Sequence, residues 1–138
     1  MRVIAGTARG VRLVAPKGLD VRPTLDRVRE SLFNILAPRI EGARFLDLFA
    51  GTGAIGIEAL SRGASSCVFV ESDQRSLEAI RRNIEAARVG DRARICRGAL
   101  PRDWSVIPCL SEQYDIAVAD PPYAFLEYDG VFRGLTGR

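Results

Sequence analysis

Residues 45–58 read Phe-Leu-Asp-Leu-Phe-Ala-Gly-Thr-Gly-Ala-Ile-Gly-Ile-Glu. A short apolar run ends in glycines at 51, 53 and 56, and a helical pattern follows from Ala54. This is G-x-G-x-x-G between a strand and a helix. A chain that turns so sharply needs residues without Cβ, which lets a ligand approach the backbone. The helix start then presents unpaired N–H groups to a carboxylate or phosphate. Glu71 follows Gly51 by twenty residues and ends the next apolar run, where an acidic side chain can accept from ribose hydroxyls. The pattern points to an adenosine-containing ligand. NAD and S-adenosylmethionine (SAM) both satisfy it so far.

Asp47 tilts the balance. It lies four residues before Gly51 on an otherwise apolar strand. A carboxylate there suits the cationic amino group of a methionine tail and repels a pyrophosphate. The plainer reading is a buried Asp satisfied by backbone N–H groups, which is costly without partners.

Around this turn the rhythm is strand, helix, strand. Strands are expected at Ala43–Phe49, Cys67–Glu71, Ala93–Arg97 and Ile116–Ala119, with helices at Ala54–Arg62 and Arg75–Ala87. Leu100–Gln113 reads as irregular with a short helix. Alternation at this spacing implies parallel βαβ units, an α/β fold. Upstream, residues 2–15 read as a hairpin turning between Gly6 and Gly10, and 16–23 as a loop. A helix capped by Thr24 follows, with Leu25, Val28, Leu32, Ile35 and Leu36 on its apolar face, ending near Ala37 before Pro38. The expected organisation is one domain: hairpin and helix over 1–40, core over 41–123, and an atypical tail over 124–138.

A second motif closes the fourth strand. Residues 116–123 read Ile-Ala-Val-Ala-Asp-Pro-Pro-Tyr. Asp120 emerges at the carboxyl end of its strand, the edge where open α/β sheets bind ligands. Pro121 and Pro122 stiffen the backbone and fix their carbonyl directions. Tyr123 offers a flat face for stacking. The amino group of a nucleobase is a poor nucleophile because its lone pair is delocalised into the ring. Hydrogen bonds to the Asp120 carboxylate and the Pro121 carbonyl would localise that pair. A sulfonium methyl is already an activated electrophile, so positioning supplies much of the rate.

Composition narrows the chemistry. The chain of 138 residues contains no histidine, which removes every His-based triad, base and metal ligand. Cys67, Cys96 and Cys109 form no C-x-x-C pair, so a metal site is not expected and buried reduced thiols are. No apolar run is long enough for a membrane span, and no signal peptide is read at the N-terminus. A cytoplasmic location, a monomer and no membrane partner are the expectations. Residues 1–44 carry nine Lys/Arg against four Asp/Glu, whereas 45–138 carry eleven against thirteen. A basic N-terminal segment on a near-neutral body suits a polyanionic partner. On charge alone, a solvated surface with Arg favoured by a biased genome is the slightly better reading.

Taken together, residues 47–64 and 118–123 resemble the nucleotide-binding and catalytic motifs of class I SAM-dependent amino-methyltransferases, which have a Rossmann-like parallel sheet. Residues 2–10 and 22–36, R-V-I-A-G-T-A-R-G and R-P-T-L-D-R-V-R-E-S-L-F-N-I-L, are similar to the RsmD family. Those bacterial enzymes methylate the N2 amino group of a guanine in 16S ribosomal RNA. The resemblance runs from Arg2 to Tyr123. It implies SAM as cofactor, with Asp47, Phe49, Gly51, Thr52, Gly53 and Gly56 along its methionine end. It further implies Glu71 and Ser72 at the ribose, and Gly98 and Ala99 beside the adenine. Asp120, Pro121, Pro122 and Tyr123 would be catalytic, and Arg9, Arg12, Arg22 and Arg27 would contact the RNA of the small ribosomal subunit. The target guanine would have to be unpaired or flipped out.

Two departures accompany it. Relatives commonly place a polar side chain just after the third strand, and this chain has Gly98 and Ala99, with Asp103 further along. Family members also continue past D-P-P-Y with further strands, which implies a C-terminally truncated sheet. Other acceptors for the same chemistry are an amino group of DNA or a protein glutamine. An inactive remnant that still binds RNA is a further alternative.

Overall fold

The computed structural model describes residues 1–16 and 23–120; the side chains of 23–25 lie outside that description. Four strands, β1 (Arg44–Leu48), β2 (Ser66–Glu71), β3 (Ala93–Arg97) and β4 (Ile116–Ala119), form one sheet in the order β3-β2-β1-β4. Every pairing is parallel. The chain steps outward from β1 to β3, then returns to place β4 on the other side of β1. That reversal opens a crevice at the carboxyl ends of β1 and β4, the position where such sheets bind ligands.

Alternation along β1 decides which side chain serves which face. Phe45 faces the helices α1 (Pro23–Ile40), α2 (Ala54–Ser61) and α3 (Gln74–Ala87) and joins Phe33, Ile57, Leu60, Phe69, Ile80 and Ile84 in the larger core. Leu46 and Leu48 face the other way, onto Val68, Val70, Leu100, Ile107 and Leu110. That second face is covered by the short 3-10 turns Trp104–Val106 and Pro108–Ser111. Asp47 is therefore on the helix side, beneath the start of α2.

The strand and helix boundaries expected for the core agree with the structure to within a residue or so. The N-terminal region differs more. The expected hairpin reduces to one bridge, Arg2 with Arg12, supported by backbone bonds from Val3 to Val11, Gly10 to Val3 and Leu13 to Met1. Its remaining backbone groups turn to α2 and α3. Glu58 accepts from the N–H groups of Ile4 and Ala5, and Ser61 from that of Ala8.

Helix α1 starts at Pro23, so Thr24 lies inside it rather than capping it. Proline is tolerated in the first turn because that N–H has no helical partner. The helix also runs past Pro38 to Ile40. Losing one bond in the final turn is offset by burial of Ile40, only 1% exposed. Its inner face is Arg29, Phe33, Leu36 and Ile40; Val28 and Ile35 are 60% and 77% exposed. Buried Arg29 shifts the stripe because it reaches the fully buried Glu58 carboxylate on α2, at 3.9 Å. Arg62 joins the same carboxylate at 2.8 Å and lies over the Phe33 ring.

The cysteines also differ from expectation. The Cys96 and Cys109 sulfurs lie against each other rather than apart, and Cys67 is free and buried. Among the described residues, no helix is long and apolar enough to cross a membrane.

Candidate cofactor and catalytic site

The turn after β1 is built from left-handed backbone. Phe49 has φ 57°, Gly51 59° and Gly53 78°. For a phenylalanine that conformation costs roughly 1–2 kcal/mol. Such strain persists where surrounding structure over-determines it, and ligand sites are where it gathers. Gly53 N–H donates to the Ala50 carbonyl at 2.8 Å, closing a four-residue turn with positive φ at its second residue.

The three glycines serve three purposes. A Cβ on Gly51 would meet nothing within 4 Å, so this residue borders open space. A Cβ on Gly53 would press on Ile80 and Phe69 at 3.3–3.4 Å. A Cβ on Gly56 would overlap the Phe69 ring and the Cys67 sulfur, so Gly56 allows α2 to lie close on β2. It is buried in that interface rather than lining the crevice.

Asp47 is 2% exposed, and its Oδ2 accepts the Gly56 N–H at 3.0 Å. A carboxylate from the strand thus occupies the N-terminus of α2, the spot a phosphate would need. Burial pushes the Asp47 carboxyl well above its ordinary range; the Gly56 bond pulls it down, while Asp120 and Glu71 raise it further. Three acidic groups therefore share one field at the ends of β1, β2 and β4. Burial, with the nearby Asp47, also pushes the Cys67 thiol up, which keeps it inert.

Glu71 is engaged in detail. Its Oε1 accepts from Gly51 N–H at 2.8 Å, and its Oε2 from the N–H groups of Ser72 and Asp73. One carboxylate thus braces the glycine turn and the end of β2. Thr52 presents its hydroxyl to the Ala54 N–H at 3.4 Å. Past β3, Gly98 N–H donates to the Glu71 carbonyl at 3.0 Å, which sets the 98–99 loop beside Glu71. A Cβ on Gly98 would overlap Ile107. Ala99 N–H goes to the Asp103 carboxylate at 2.8 Å, so Asp103 folds back onto this loop.

Leu48 pairs with Ala119 in the β1–β4 register, and the next step along each strand brings Phe49 and Asp120 to one level. Asp120 is exposed there. Pro121, Pro122, Tyr123 and Arg22 lie outside the described residues, as do the tail over 124–138 and most of the 16–23 loop. Arg9, Arg12 and Arg27 are exposed. Arg9 is next to Ala8, which docks on Ser61 at the far end of α2, about 12 Å of helix from the glycine turn at ~1.5 Å per residue. The crevice and the Arg9 turn are thus separate features.

Asn83, Glu58 and Ser61 escaped the sequence reading. Asn83 occupies a position on the buried face of α3, among Leu77, Ile80 and Ile84. A polar residue inside an apolar stripe was the available signal. A separate cleft of about 670 Å³ opens at the amino ends of β1, β2 and β3. Its arginines are occupied: Arg44 by Asp115, Arg94 by Glu112, and Arg92 by the Leu60 and Ala64 carbonyls.

Comparison with known proteins follows the same lines. A family profile described as conserved hypothetical protein 95 matches residues 1–136. Ribosomal RNA small subunit methyltransferase D of Escherichia coli K12 is 38% identical over 123 residues, covering 89% of this chain and 60% of that protein. Its Haemophilus influenzae counterpart is 35% identical over 91% of this chain and 65% of its own length. The chain thus spans somewhat under two thirds of these relatives. The solved structure of yhhF from Escherichia coli superposes with a TM-score of 0.82 at 37% identity, over 99% of this chain and 72% of that one. A Thermus structure gives 0.81 at 33% identity, over 99% and 77%. The chain belongs to the conserved hypothetical protein 95 family, which is the RsmD family.

Proposed function

We propose that this chain is a SAM-dependent methyltransferase acting on the N2 amino group of a guanine in 16S rRNA of the small ribosomal subunit. The observation that carries the reading is the acidic field of Asp47, Glu71 and Asp120 around a glycine turn at the switch point of the sheet. A cationic sulfonium ligand suits that field. A dinucleotide pyrophosphate does not, because Asp47 already caps α2. Membership of the RsmD family supports the ribosomal RNA substrate.

The residues present fit the cofactor. In this reading Gly51 would leave backbone open to it, Glu71, which accepts the Gly51 N–H, would meet the ribose, and the 98–99 loop, bonded to the Glu71 carbonyl, would border the base. When bound, SAM supplies an activated methyl group. The chain's own part is positioning. Asp120 accepts from the hydrogens of the guanine amino group, which concentrates the nitrogen lone pair, and it holds that nitrogen in line with the carbon to be attacked. Forming the N–C bond would break the methyl carbon–sulfur bond and release a neutral thioether; the Asp120 carboxylate would stabilise the positive charge gained by the nitrogen and take its lost proton. Pro121, Pro122 and Tyr123 complete the clamp in this reading, and Arg9, Arg12, Arg22 and Arg27 contact RNA phosphates.

The test is transfer of a labelled methyl group to small ribosomal subunits that lack the modification. Label in one guanine of 16S rRNA is expected. A folded chain that binds SAM but labels only DNA or peptide, or nothing, overturns the assignment.

A further inference from the structure

Asn83 hydrogen-bonds both the N-terminal segment and the glycine turn. It is 1% exposed. Its Oδ1 accepts the Val14 N–H at 2.8 Å, and its Nδ2 donates to the Val14 carbonyl at 2.9 Å and to the Thr52 carbonyl at 2.8 Å. The amide thus pairs with residue 14 as a neighbouring strand would. That pairing fixes which end of the amide is nitrogen, because a flip would set Nδ2 against an N–H and Oδ1 against two carbonyls. The second Nδ2 hydrogen is then left aimed at Thr52.

The Thr52 carbonyl belongs to the peptide whose N–H, on Gly53, closes the turn onto Ala50. That peptide is held from both sides: by the turn and by Asn83. Its orientation sets the direction of the backbone beside Gly51, which has open space around it and bonds Glu71. Glu58 and Ser61 also clasp the N-terminal segment, at residues 4–8, but their described hydrogen bonds do not reach the turn.

We infer that Asn83 is a positioning residue for the cofactor: residue 14 of the N-terminal segment locks its amide, and the amide locks the glycine turn in its ligand-ready shape. The inference rests on the cofactor reading above. It adds that residues 1–16 help set SAM affinity through one named side chain, apart from any contact they make with RNA. Asn83 touches neither the acceptor nor Asp120 in this arrangement, so its effect belongs in cofactor binding rather than in the methyl-transfer step.

The test uses the full chain and S-adenosylhomocysteine (SAH), titrated by calorimetry. Val14→Pro removes the residue 14 N–H. Val14 is 42% exposed and outside both cores, so its side chain can be replaced at little cost, and thermal unfolding checks that Leu13 stays packed. Asn83→Asp keeps the shape but loses both Nδ2 donors, and Asn83→Ala removes the amide. Expected are about tenfold or greater weakening of SAH for either Asn83 variant, the scale of one or two lost buried hydrogen bonds. Val14→Pro should weaken SAH several-fold, and Val14→Pro with Asn83→Ala should be no weaker than Asn83→Ala alone. In methyl transfer, KM for SAM should rise with kcat at saturation within about threefold. Unchanged SAH affinity in a folded Val14→Pro chain overturns the inference, as does simple multiplication of the two effects. A wild-type chain that binds no SAH removes the cofactor reading itself, and this inference with it.

Discussion

Glu71 accepts the Gly51 N–H at 2.8 Å, so the acid that ends the second strand also holds the turn that ends the first. One carboxylate thus ties the ends of two strands together. Glu71→Gln preserves an acceptor for Gly51 but removes the charge. SAH affinity should fall by about 10- to 100-fold, the worth of charge-assisted hydrogen bonds, with a smaller effect on thermal stability. Calorimetric titration beside thermal unfolding measures both.

Asp47 trades stability for charge. Its folded-state carboxyl is pushed above the ordinary 3.8, first by burial. Below that ordinary value both folded and unfolded chains carry the proton, and nothing is lost. As pH rises above it, the unfolded chain ionises first, so native stability declines until the folded carboxyl also ionises. Asp47→Asn should flatten that decline. At neutral pH the variant should be more stable, with a higher Tm, while binding SAM more weakly for want of negative charge. Unfolding scans from pH 4 to 8 test the sign.

The glycines separate packing from binding. Gly56→Ala drives a methyl into Phe69 and Cys67 and should cost about 1–3 kcal/mol of stability. Gly51→Ala meets no atom of the described residues, so the cost they set is the backbone term of about 1–2 kcal/mol at φ 59°. Its larger effect should be on SAH affinity, since the methyl enters the ligand's space. If Gly51→Ala binds SAH normally, the cofactor does not approach there.

Asp120→Ala should leave SAH affinity within a few-fold and lower methyl transfer by about 100-fold or more, the usual reach of a positioned proton acceptor. Single-turnover rates at saturating SAM isolate that step. Equal loss of both quantities would place Asp120 in cofactor binding instead.

The core was legible from sequence because its signals are local. Apolar runs of β-length, glycines at 51, 53 and 56, and Gly63 after α2 each act within a few residues. The failures share a cause: partners remote in sequence. Val28 and Ile35 fit a helical stripe, yet Arg29 took the inner face because Glu58 awaits it on another helix. Residues 2–15 alternate as a hairpin would, but Glu58, Ser61 and Asn83 compete for their backbone groups. Asp47 has the backbone partner that the plainer reading of a buried Asp requires; its bond to Gly56 depends on the close approach of α2 that the sequence motif only hints at. The pairing of Cys96 with Cys109 came from a loop whose path no periodicity encodes.

The clasp of residues 4–14 by Glu58, Ser61 and Asn83 spans 53 to 69 positions of chain. Those early residues are synthesised long before the helices that receive them. They can pair among themselves through Val3, Gly10 and Val11, but their long-range bonds require that α2 and α3 exist, and contacts so distant in sequence are slow to close. A nascent chain held before residue 83 would lack the clasp on residue 14 while already carrying the partners of residues 4–8.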